Sequence, residues 1–151
     1  MNHRIRQKQF LADSLTVLIS VIFFAACTSQ PSYPHAAKIG ANLVVEEASL
    51  QLETPKFFTY QFNNKKISFF ILHMNNVTQS YLDACASCYP HKRGYQYENN
   101  AVTCRYCSQR FSVNKLDKGF GGCYPIKIEG RTEKGKYLIP VAALEAEAEK
   151  F

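Results

Sequence analysis

Residues 85–107 read CASCYPHKRGYQYENNAVTCRYC, and this stretch decides what kind of domain the chain forms. It holds two CxxC pairs, Cys85/Cys88 and Cys104/Cys107, with fifteen residues between them. Fifteen more residues lead from Cys107 to Cys123, in Gly121-Gly122-Cys123-Tyr124-Pro125. A CxxC pair sets two sulfurs on one tight turn. Two such turns give four thiolates around one centre, the donor set of tetrahedral zinc and of iron–sulfur units. Two other readings compete. Disulfides within the pairs would each close a ring of only four residues, whereas long loops gain most from closure, and Cys123 would be left over. Catalytic dithiol exchange is the third reading. Cys85, Cys88, Cys104 and Cys107 are therefore candidate metal ligands, with Cys123 as a fifth or alternative one.

The flanks suit a shielded centre. Tyr89, Tyr106 and Tyr124 each adjoin a cysteine, and Phe111 follows the second pair as an aromatic that would pack beneath it. Gly119, Gly121 and Gly122 would let backbone N–H groups approach sulfur and tune a cluster's potential, or would form a plain surface turn. Lys92, Arg93, Arg105 and Arg110 surround the motif, and four thiolates about a 2+ ion leave a charge that cations stabilise. His91 lies three residues after Cys88 and reads as an exposed loop histidine rather than a ligand. His73 reads as a strand end. No histidine has a serine or aspartate partner that would argue for hydrolysis.

Outward from this centre the pattern is β. Residues 57–62 (FFTYQF) and 65–72 (KKISFFIL) are strand-like, and Asn63-Asn64 between them is a turn that accepts positive φ, which predicts a hairpin. Asn75-Asn76 opens a loop. Residues 101–103, 109–113 and 136–139 read as short strands, and residues 42–52 show no clean period. Pro140 stands at a first helical position before Ala142 to Lys150, all strong helix formers. Glu145 and Glu149 would share a face of that helix as a solvated surface. The expected fold is a small β-rich α+β domain. Hairpins would carry two CxxC metal knuckles in a zinc-ribbon or Rieske-like arrangement, with a short C-terminal helix.

The N-terminus reads differently. Arg4, Arg6 and Lys8 precede thirteen uncharged residues, 14–26, ending Phe24-Ala25-Ala26-Cys27. That is a signal-type apolar run, too short for a ~30 Å hydrocarbon core. Two small residues before a cysteine resemble a bacterial lipobox, although position 24 departs from the usual leucine. Residues 1–27 are thus expected to be an export signal with Cys27 as the lipidation site. Residues 28–40 would be a flexible tether and residues 41–151 the metal-binding domain, held at the extracytoplasmic face of a bacterial envelope. The net charge of +6 is mild and unclustered, which argues against nucleic-acid binding. With Cys27 set aside, the six cysteines no longer suggest three disulfides.

These residues together resemble the FtrD-like family of membrane iron–sulfur proteins. The likeness runs from Lys56 to Phe151 through FFTY, Asp83-Ala84-Cys85, CASCYP, Gly94-Tyr95, VTCRYC with Phe111, GGCYP and LIPVAALEA. Many members carry this domain after several transmembrane helices; here a short export segment stands in their place. The resemblance implies an iron–sulfur centre on Cys85, Cys88, Cys104, Cys107 and Cys123, and a link to iron uptake or envelope redox systems through a membrane iron permease or redox partner. It names no reaction, and electron transfer or metal binding is expected rather than catalysis. A weaker likeness, of spacing alone, is to Rieske loops, with cysteine where histidine would stand. All-cysteine ligation places the potential lower. A chain exported unfolded acquires its metal outside, which zinc or a single Cys-ligated iron satisfies most simply. A zinc-ribbon interaction module and a thiol–disulfide oxidoreductase are the alternatives.

Overall fold

In the computed structural model, residues 30–117 and 121–151 are described. The central hairpin forms as expected. β3 (Lys56–Phe62) and β4 (Lys65–Met74) pair antiparallel, with Asn63 and Asn64 at φ 45° and 61°. The same device is used twice more. Asn75-Asn76 joins β4 to β5 (Val77–Cys85), and Asn99-Asn100 joins β6 (Tyr95–Glu98) to β7 (Ala101–Cys104). Asparagine tolerates the left-handed conformation that a two-residue hairpin needs at both central positions. The expected loop at residue 75 is therefore a tight turn into a nine-residue strand.

Three antiparallel sheets result. β3, β4, β5 and β9 (Pro125–Ile128) form one, in that order. β6, β7 and β8 (Arg110–Ser112) form a second. In the third, β1 (Ala37–Ile39) pairs with β2 (Asn42–Glu46), β2 with β11 (Lys136–Pro140), and β11 with β10 (Arg131–Glu133). β2 lies where no period was visible. Leu43 and Val45 are buried in alternation, but Val44 between them is apolar too and blurs the pattern.

β4 divides the interior. Its residues 67–72 are all buried, because both faces of the strand are covered. Ile67, Phe69 and Ile71 face a core with Leu43, Ile139 and Leu144. Phe70 and Leu72 face a second core that contains Cys85, Cys88 and Cys104. The period of two along one strand thus separates a purely apolar core from one built around sulfur.

The C-terminal helix is shorter than its composition suggests. α1 spans Val141–Glu145, and Pro140 caps it from the end of β11 instead of entering it. The chain then turns, and a 3₁₀ turn at Ala148–Lys150 returns Phe151 to the apolar core. Burying Phe151 outweighs continuing a short helix, whose own stability is marginal. Glu145 and Glu149 therefore share no helix face: Glu145 accepts the Tyr60 hydroxyl at 2.7 Å and Glu149 pairs with Lys150.

The expected tether is packed from Gln30 onward. The Gln30 amide bonds the Asp83 carboxylate, Tyr33 stacks on Phe57 at 4.9 Å, and β1 joins a sheet. Residues 1–29, with the expected signal and Cys27, lie outside the described residues, as does Gly119.

Candidate metal centre

Five sulfurs converge where the ends of β5 and β7 meet the loop before β9. Cys85 ends β5 and Cys104 ends β7. The Cys88 N–H donates to the Cys85 carbonyl at 3.1 Å, closing the turn between them. The Ser108 N–H donates to the Cys104 carbonyl at 3.0 Å, with Ser108 at φ 61°. The third segment is tied to the first. The Ala86 N–H donates to the Tyr124 carbonyl at 3.0 Å, and the Ser87 hydroxyl to the Gly122 carbonyl at 2.7 Å.

The sulfurs form two overlapping groups. Cys85, Cys88 and Cys104 lie within 4.8 Å of one another, and so do Cys88, Cys107 and Cys123. Cys88 belongs to both. The first group is buried; the second reaches the surface through exposed Cys107. Cys107 and Cys123 are 3.8 Å apart. Sulfurs about 2.3 Å from one tetrahedral ion would stand about 3.8 Å from each other. All five cysteines singled out from the sequence are thus together, and the two groups also touch each other, since the Cys104 thiol bears on Cys107 and the Cys123 thiol on Cys85. His91 is in neither group. It stacks on Tyr106, with centroids 3.6 Å apart.

The electrostatics fit a cation. Burial pushes the Cys85 thiol up, but the N–H groups of Ser87 and Cys88, the Tyr95 hydroxyl and the Cys88 thiol outweigh it, and the net direction is down. At Cys107 burial is likewise outweighed, by the Gln109 N–H and the neighbouring thiols. Cys88 is driven strongly up by burial and by the thiols of Cys107 and Cys85. Cys104 is also raised, chiefly by burial, and Cys123 is pushed up to about 11 by burial and by Cys107. Crowded thiols suppress one another's ionisation. A bound metal removes that conflict, since a coordinating thiol deprotonates outright.

A second shell supports the sulfurs. Tyr95 is fully buried, and its hydroxyl has no hydrogen-bond partner among the described residues. The group it bears on is the Cys85 sulfur. An otherwise orphaned hydroxyl is satisfied if that sulfur is a thiolate. The Tyr95 ring packs edge-on against Phe111, the aromatic expected beneath the centre. Asp83, two residues before Cys85, is only 1% exposed and receives the Tyr95 N–H at 2.5 Å and the Gln30 amide at 2.7 Å. Burial raises its carboxyl to about 6 against those bonds and the pull of Arg105. Arg105 itself donates to the Tyr95 carbonyl at 2.8 Å. Gly94 sits at φ 64° against this carboxylate. Asp83, Gly94 and Tyr95 were visible in the sequence as parts of motifs, but nothing there gave them a role. Gln30 and Tyr33 had no signal at all.

No curated protein matches the chain. Among solved structures it is similar to a quaternary ammonium Rieske monooxygenase, CntA, in complex with the inhibitor MMV12, at 13% identity and a TM-score of 0.44. That match covers 72% of this chain and 31% of the monooxygenase chain, so the chain spans about a third of it. Residues 50–151 match the membrane iron–sulfur containing proteins described as FtrD-like. The chain belongs to the FtrD-like family.

Proposed function

We propose that the chain is a membrane-tethered, extracytoplasmic protein that binds an iron–sulfur or Cys-ligated iron centre. It would serve in electron transfer or iron handling linked to iron uptake. The observation that carries this is the pair of sulfur triads sharing Cys88. Five sulfurs exceed what one tetrahedral ion accepts, and two groups with a common member suit two metal positions better than one structural zinc. The family description supports iron–sulfur as the centre. Cys85, Cys88, Cys104 and Cys107 would be ligands and Cys123 a further or exchangeable one. When bound, the centre supplies one-electron chemistry. The chain's own part is to hold the sulfurs, set N–H groups and the Tyr95 hydroxyl beside them, and bury Cys85, Cys88 and Cys104 while Cys107 and Cys123 stay at the edge. Cys27 would carry the lipid, and an iron permease or redox protein in the same membrane would be the partner. Among the described residues no helix is long and apolar enough to cross a membrane.

The test is to purify the full chain in detergent without oxygen and measure iron, zinc and acid-labile sulfide together with the visible spectrum. Iron with absorption that bleaches on reduction supports the reading. A colourless protein with one zinc per chain overturns it in favour of a structural module. Metal-free protein with a titrating dithiol overturns it in favour of thiol–disulfide exchange.

A further inference from the structure

Beside the Asn63-Asn64 turn between β3 and β4 lies a groove of about 930 Å³. Its floor is Thr59 and Ser68, directly opposed in the β3–β4 register and only 2% and 3% exposed. One wall is the Gln30-Pro31-Ser32 segment, and Phe151 closes an end. Lys65 and Lys66, just past the Asn63-Asn64 turn, and Lys92, from the loop after Cys88, line it as well. No carboxylate side chain does.

Like most of the described cations, Lys65, Lys66 and Lys92 pair with no carboxylate within 4 Å; among the described residues only Lys127, Arg131, Lys136 and Lys150 do. Lys65 donates to the Ala148 carbonyl at 2.9 Å, which fixes its position without neutralising it. Even with a terminal carboxylate on Phe151 counted against them, the groove is net positive. Lys92 sits at φ 50° because it caps the 3₁₀ turn Tyr89–His91, its N–H donating to the Tyr89 carbonyl at 2.9 Å. Three unpaired ammonium groups above a hydroxyl floor form a site for a phosphate-bearing anion. Lysines act there as separate point charges, and the volume exceeds that of a single ion.

We infer that this groove binds the phosphodiester headgroup of an anionic phospholipid. The choice of a lipid rests on the proposed anchor at Cys27. Two residues separate Cys27 from Gln30, so three steps of fully extended chain, about 11 Å between Cα atoms, are the farthest the groove wall can stand from the anchoring residue. A cationic groove at that distance is at the bilayer surface. Gln30 also bonds Asp83, so a headgroup held here fixes the orientation of the strand that bears Cys85.

The test is thermal unfolding of the full chain in a neutral maltoside detergent. Dihexanoyl phosphatidylglycerol, dihexanoyl phosphatidylcholine, inorganic phosphate and sodium chloride are compared at matched ionic strength. Phosphatidylglycerol should raise the midpoint saturably and more than phosphatidylcholine or chloride. Near a surface each lysine contributes roughly a factor of five in affinity, so K65Q/K66Q/K92Q should weaken binding about a hundredfold. K66Q/K92Q, which keeps the Lys65 bond to Ala148, should weaken it about 25-fold by the same arithmetic. Metal content should be unchanged in both variants, and Cys27→Ser should bind as the parent does. Failure of the groove and failure of the metal reading or the anchor are therefore separate results. No shift beyond chloride, or a shift that the lysine variants retain, overturns the site. An equal shift with inorganic phosphate overturns the lipid as its source and leaves a free-phosphate site.

Discussion

Gly94→Ala is the substitution whose effect the structure fixes most closely. Two terms add. Residue 94 sits at φ +64°, where an L-residue costs about 1–2 kcal/mol. A Cβ there would also lie 2.7 Å from both Asp83 carboxylate oxygens and from the Gln30 amide nitrogen. Asp83 is buried on a central strand and cannot retreat to water, so at least one of its charged hydrogen bonds must break, at about 1.5–3 kcal/mol. The total is about 2.5–5 kcal/mol. For a domain of this size, each kcal/mol lowers the melting temperature by about 4 °C, so a fall of about 10–20 °C is expected. Gly40→Ala is the control: φ is +59°, but nothing lies within 4 Å of its Cβ. It carries the conformational term alone, about 4–8 °C. Circular dichroism melts of the full chain in detergent give both numbers. Because Gly94 leads into Tyr95, iron content should fall in Gly94→Ala and hold in Gly40→Ala. Equal melting temperatures for the two variants would refute the packing of Gly94 on the Asp83 carboxylate.

Other outcomes follow from the same contacts. Tyr95→Phe removes the hydroxyl that faces Cys85, so the reduction potential should fall by about 40 mV for a hydrogen bond worth about 1 kcal/mol, with iron content retained. An unchanged potential in redox titration would mean that the hydroxyl does not reach the sulfur. Cys88→Ser should abolish metal binding, because Cys88 belongs to both sulfur groups, whereas Cys123→Ser should leave the buried group intact and lose at most part of the metal. Equal losses by elemental analysis would contradict the shared role of Cys88. Glu47 is held below the usual carboxylate range, first by the Thr78 hydroxyl, which with the Thr132 hydroxyl outweighs the opposing effect of burial. Its contribution is therefore present above its unfolded pKa and lost as pH falls through the lower folded value. Urea unfolding should show Glu47→Gln less stable at pH 7 by about 1 kcal/mol. A gap that fails to narrow at low pH would count against that assignment.

The sequence made the centre legible because chemistry and spacing coincide there. CxxC pairs declare themselves without knowledge of the fold, and Asn63-Asn64 and the apolar runs around it declare a hairpin. What stayed hidden depends on tertiary contact. β5 went unread because VTQSYLDAC mixes buried Ser80 and Asp83 with apolar neighbours, and a buried polar residue finds its partner only in the folded chain. Asp83 is matched to Tyr95 across a loop and to Gln30, 53 positions away. The packing of residues 30–40, expected within the tether, has no local signal for the same reason: it depends on Gln30 meeting Asp83, Tyr33 stacking on Phe57 and β1 pairing with β2. At the C-terminus local propensity favoured one helix to Lys150, and burial of Phe151 shortened it. The approach of Cys104 to Cys85 and Cys88 also has no local signal, since it depends on β7 ending beside β5.

The central claim is that these cysteines hold iron through sulfur. X-ray absorption at the iron edge, on the anaerobically purified full chain, tests it most directly. The account predicts a shell of sulfur neighbours near about 2.3 Å that is lost in Cys88→Ser. A first shell of oxygen or nitrogen near about 2.0–2.1 Å, without sulfur, would contradict it.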